Sequence, residues 1–219
     1  MTTFPELVDT LVSTASPVRR LRSPLQRAVI WLAFAGVVLA LLSIEHGLRA
    51  DLAVRLGQSL FLIGIVAAAA TGIMAAVAAF MISIPDRSSW CLLLPLPTLV
   101  VWISTISYEC FFDWISIGPD GLRMGEALGC FASLLLTSVP LAIALVAMLR
   151  YAAFLRTGAV ILMGSLAVGA ITSTALMLIH DLDATVMILV WNLGTAAMIS
   201  ALGNLFGPRM FSWAASRIS

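Results

Sequence analysis

Six stretches of the chain are apolar almost without interruption, at roughly 27–44, 58–82, 89–108, 128–149, 157–179 and 184–206. A helix needs about 20 apolar residues to cross a bilayer core about 30 Å thick. No Asp, Glu or Arg stands in the middle of any of these runs. Lipid offers the backbone no hydrogen-bond partners, so such runs must close their own bonds as helices. The pattern therefore predicts an all-α polytopic membrane protein with six transmembrane helices, the bundle occupying 27–206. The first run begins only after Arg27 and no small-residue cleavage pattern follows it before Glu45, so it reads as a retained helix rather than a signal peptide.

Inside the runs, small residues recur at helical spacing. Gly64, Ala68, Gly72 and Ala76 mark a face of the second helix, Ser165, Gly169 and Ser173 one of the fifth, and Gly203 and Gly207 one of the sixth. Such faces let membrane helices approach closely, within one chain or in a homodimer. Pro95 and Pro97 predict a kink in the third helix and Pro140 one in the fourth, because proline removes a backbone donor and clashes with the preceding turn.

The N-terminal 26 residues are patterned differently. Leu7, Val8, Leu11 and Val12 recur with Phe4 at helical spacing, which predicts a short amphipathic helix over 3–15. Thr3 can cap it, Pro5 suits its first turn, and Glu6 and Asp9 suit the positive end of its dipole. A helix this short needs a surface to bury its stripe. A partner's groove provides one, whereas a lipid surface would favour a basic face that this helix lacks. Residues 17–24 follow as a basic connector with two prolines and three arginines, including Arg19 and Arg20.

Composition strengthens the membrane reading. Hydrophobic residues make up 61% of the chain and charged residues 11%, against about 25% charged in soluble domains. The net charge of +1 gives no reason to expect direct nucleic-acid binding. All twelve basic residues are arginines, and their distribution sets an orientation. With the N-terminus inside, nine are cytoplasmic (Arg19, Arg20, Arg22, Arg27, Arg87, Arg150, Arg156, Arg209 and Arg217) and only Arg49, Arg55 and Arg123 are outside. This predicts a multi-pass protein of the bacterial inner membrane with both termini cytoplasmic and a tail at 207–219. Trp31, Trp90, Trp114 and Trp213 stand near run ends, where interfacial aromatics belong.

Reactive groups are scarce. The chain has no H-E-x-x-H, G-x-S-x-G or P-loop, and no charged pair at mid-membrane, so neither an enzyme nor a cofactor is expected. Cys91 falls at the inner end of the third run, while Cys110 and Cys130 bracket the outer loop between the third and fourth helices. An oxidising compartment lets a disulfide persist there, and both a bridge and two unpaired thiols stay open. A metal site from Cys130, His180 and Asp181 is a less favoured alternative.

Several segments together resemble the NrsF family of membrane anti-sigma factors. They are Pro17-Val18-Arg19-Arg20-Leu21, Arg49-Ala50-Asp51-Leu52 after the first helix, Cys130 with Ser138-Val139-Pro140-Leu141 around the fourth, His180-Asp181 after the fifth, Trp191, and Gly207-Pro208-Arg209. The resemblance implies six helices and a cytoplasmic N-terminal arm that holds an extracytoplasmic-function sigma factor at the membrane. It also implies release by envelope, redox or heavy-metal stress through two outer cysteines. Cys130 matches the first of these, but Asp181 stands where the second is expected, leaving Cys110 as a substitute from another position. The alternative is a small membrane transporter or channel component, its path opened by the prolines of the third and fourth helices.

Overall fold

A computed structural model describes Glu6, Val8, Asp9, Ser13, residues 22–84, 88–117, 124–149 and 157–179, and Gly194, with side chains except at 108–117, 124–131 and 157. Among the described residues the chain is helical and has no strand. In chain order the elements are α1 (Pro24–His46), the short α2 (Leu52–Leu56), α3 (Ser59–Ile82), a 3₁₀ turn (Ser89–Leu93), α4 (Leu96–Ile117), α5 (Met124–Leu149) and α6 (Thr157–Ile179). Five segments among the described residues are long and apolar enough to cross a membrane. The sixth run, 184–206, lies outside the described residues.

Local chemistry sets the helix ends. The Ser23 hydroxyl accepts from the Gln26 N–H, and Pro24 takes the first helical position, where its missing donor costs nothing. α1 therefore starts inside the expected connector, three residues before the apolar run. It stops at Gly47, whose φ of 78° favours glycine. Pro95 precedes α4 and Pro97 is its second residue, so these prolines start a helix rather than kink one. The third run is thus a 3₁₀ turn followed by a helix. Pro140 does lie inside α5.

α3 and α6 form the centre, and 72% of the α6 span is buried against 22% of α1. α4 packs on α3, α5 on α6, and α1 rests on α3, α5 and α6. The expected small-residue face of α3 is buried throughout at Gly64, Ala68, Gly72 and Ala76. A Cβ at Gly72 would sit 2.8 Å from Ile171 side-chain carbons, and one at Gly64 would sit 3.3 Å from Thr105 Oγ1. The stripe thus serves two neighbours, α6 and α4. The outer surface of the helices is apolar, with Val29, Val37, Ile143 and Val146 all exposed. This shell and the helix lengths are compatible with membrane insertion.

Candidate functional site

Two polar clusters occupy opposite ends of the bundle. At one end meet the first turn of α1 and the last turns of α3 and α5. Arg27 is buried there and donates through Nη2 to the Met148 carbonyl. That carbonyl belongs to the last turn of α5, where helix carbonyls lack intrahelical donors and the dipole favours a cation. The guanidinium also lies over the Phe80 ring, 5.1 Å from its centroid. One turn on, Trp31 is completely buried and its Nε1 donates to the Leu141 carbonyl at 3.1 Å. Trp31 is therefore not an interfacial aromatic. Its indole N–H finds a partner inside the bundle, and its ring fills the space beside Ala28 and Ala35.

At the other end the chain leaves α1 through Gly47 and meets the end of α6. The Arg49 backbone N–H donates to the Leu178 carbonyl at 3.1 Å. The buried Arg49 side chain bonds Asp51 Oδ1 through Nε, and Arg55 Nε donates to Asp51 Oδ2 at 3.3 Å. The Arg49 hydrogen bond, with its charge and the Arg55 bond, holds the Asp51 carboxyl below the usual carboxylate range against an opposing push from desolvation. The Arg49-Ala50-Asp51-Leu52 segment thus ties the α1–α3 connection to α6, two residues before His180.

Among the other expected residues, Val8 is helical and 41% exposed, as are Glu6, Asp9 and Ser13 helical and exposed. Leu7, Leu11, Val12, Arg19, Arg20, His180 and Asp181 lie outside the described residues. α4 continues to Ile117 and α5 begins at Met124, so Cys110 and Cys130 are helical and do not sit at the edges of a long loop. Cys110 stands about 10 Å before the end of α4 at Ile117, and Cys130 about 9 Å after the start of α5 at Met124. Their side chains lie outside the described residues. Cys91 is a free, half-buried thiol in the 3₁₀ turn. Among the described residues no three His, Cys, Asp or Glu side chains cluster as a metal site.

Most interior hydroxyls turn back on their own helices. Thr71 donates to the Ala67 carbonyl, Thr105 to Trp102, Thr137 to Ser133 and Thr174 to Ala170. They satisfy local backbone rather than line a polar path. Trp102 Nε1 and Thr172 Oγ1 are buried without a hydrogen-bond partner.

The family model for NrsF, described as negative regulator of sigma F, matches residues 11–213. The chain belongs to the NrsF family. No curated protein and no solved structure matches it. NrsF proteins are negative regulators of a sigma factor, a role that implies sigma-factor binding and is not in general enzymatic. The NrsF match begins within the N-terminal segment and covers both polar clusters.

The residue pattern places Arg27 and Trp31 at a run end without naming their contacts. The available signal was their spacing of four with Ala28 and Ala35 on the same face, which marks a narrow buried stripe on an otherwise apolar helix.

Proposed function

We propose that the protein is an inner-membrane anti-sigma factor, both termini cytoplasmic, that sequesters an extracytoplasmic-function sigma factor on its N-terminal arm. The carrying observation is the family match over 11–213, joined to an N-terminal segment in which Val8 is helical and exposed. Leu7, Val8, Leu11 and Val12 supply an apolar stripe for a groove on the sigma factor, and Arg19 and Arg20 extend the contact with charge. The nine-to-three arginine bias supports a cytoplasmic arm. Envelope, redox or heavy-metal stress is the proposed trigger, with Cys130 and Cys110 as the sensing thiols on the outer halves of α5 and α4. Release requires that the trigger favour a state with lower affinity for the sigma factor.

Deleting residues 2–16 tests the arm. A co-expressed sigma factor should move from the membrane to the soluble fraction, and continued co-purification with the bundle would refute the docking assignment. Cys110→Ser and Cys130→Ser, made singly, test the trigger. Cadmium or diamide should release the sigma factor at least threefold less from either variant, and unchanged release from both removes thiols from the mechanism.

A further inference from the structure

α1 carries the N-terminal arm, yet it holds to the bundle narrowly. Of its 23 residues only Arg27, Ala28, Trp31 and Ala35 are buried, all in the half nearest the arm. Within that half, both described side-chain hydrogen bonds from α1 to the rest of the bundle end on α5: Arg27 on the Met148 carbonyl and Trp31 on the Leu141 carbonyl. The donors are one turn apart and the acceptors two turns apart. Both acceptors are backbone atoms, so they report the position of the α5 helix itself rather than the rotamer of a side chain.

α5 joins this grip to the opposite end of the bundle. From Cys130 to Met148 it runs about 27 Å as one helix, close to the thickness of a bilayer core. Pro140 stands immediately before Leu141 and removes a backbone donor, which makes that point the natural place for the two halves of α5 to bend relative to each other. Everything beyond the proline toward Leu149 is the part that grips α1.

From this arrangement we infer that Arg27 and Trp31 are coupling residues: they make the terminal half of α5 and the arm-bearing end of α1 move as one body, so that α5 delivers an outer signal to the arm. The inference rests on the sequestration reading above and adds the route of its regulation. Arg27 and Trp31 act through α1 and have no part in touching the sigma factor.

The test uses the full chain in membranes, with spin labels on non-canonical amino acids at the exposed positions Leu25 and Val146 to leave the native cysteines intact. A second labelled pair, Val66 and Leu162, reports α3 against α6. Arg27→Met with Trp31→Phe keeps both apolar bodies and removes both donors. The Leu25–Val146 distance distribution should widen at least twofold in the double variant and stay narrow in Arg27→Lys, which retains a donor. The Val66–Leu162 distribution should not change. Equal widths in wild type and double variant overturn the inference, as does equal widening of both pairs, which would mean general loosening. In cells the double variant should still hold the sigma factor at the membrane but release it at least threefold less on cadmium or diamide. Undiminished release overturns the coupling role. Should the wild-type protein hold no sigma factor at all, the sequestration reading falls, and the coupling is then decided by the distances alone.

Discussion

The two ends of the bundle each bury an arginine, and they satisfy it in opposite ways. Arg49 takes a carboxylate: Asp51 sits two residues along, exposed enough to keep its charge and shared with Arg55. Arg27 meets no acid among the described contacts and takes a carbonyl at the end of α5 and the face of Phe80. A loop can bring its own counter-charge at little cost. A helix end inside an apolar bundle cannot, because a second buried charge would pay its own desolvation. A carbonyl left over at a helix terminus accepts the same hydrogen bonds without titrating. The Arg27 end is thus a joint between helices that uses no carboxylate among the described contacts, and the Arg49 end is an ionic tie across a connection.

The largest effect should come from the joint. Arg27→Met removes a hydrogen bond from a charged donor, worth about 1.5–3 kcal/mol, and should lower the unfolding free energy of the detergent-solubilised bundle by that order. Trp31→Phe deletes one neutral hydrogen bond and keeps most of the ring, so its loss should be about 0.5–1.5 kcal/mol in the same measurement. A larger loss in Trp31→Phe than in Arg27→Met would reverse the ranking drawn between charge and packing. The smallest effect should be acid sensitivity at the other end. Asp51 has a lowered carboxyl pKa in the folded chain, so its contribution is complete above the ordinary carboxylate value near about 4 and is lost as pH falls through the lowered value. Asp51→Asn should flatten stability against pH only in that acid range. The Arg27→Met difference should stay constant across it, and a pH-dependent difference there would break the contrast between the ends.

Much of this was legible in the residue pattern. The apolar runs locate α1, α3, α5 and α6 to within a few residues, because a membrane helix is specified mainly by length and apolarity. The Gly64–Ala76 stripe correctly marks a packing face, since closeness of backbones demands small side chains. The small residues do not reveal which neighbour each one meets, which is why Gly64 facing α4 and Gly72 facing α6 emerged only from the structure. Proline spacing misled at Pro95 and Pro97, where the same residue that breaks a helix also begins one. Arg27 and Trp31 resembled a topology charge and an interfacial ring because those uses are shared by any run end. Their partners are backbone carbonyls more than a hundred residues away, and a carbonyl leaves no trace in residue type. The Arg49-Ala50-Asp51-Leu52 segment stood out in the family resemblance without a reason, and the Asp51 ion pairs and the Leu178 tie supply one.

The contact of Gly72 with Ile171 constrains how any of this can move. Ile171 sits in a notch that exists only because residue 72 has no side chain, and the residues one turn to either side, Ala68 and Ala76, both carry a Cβ. Sliding α6 along α3 by about 6 Å, one helical turn, would drive the isoleucine out of its notch and against those methyls. The notch works as a detent: it lets the pair sit at one axial setting and resists the neighbouring ones. α3 and α6 are thereby the stator of the molecule, and a mechanical stroke has to be made by the helices around them.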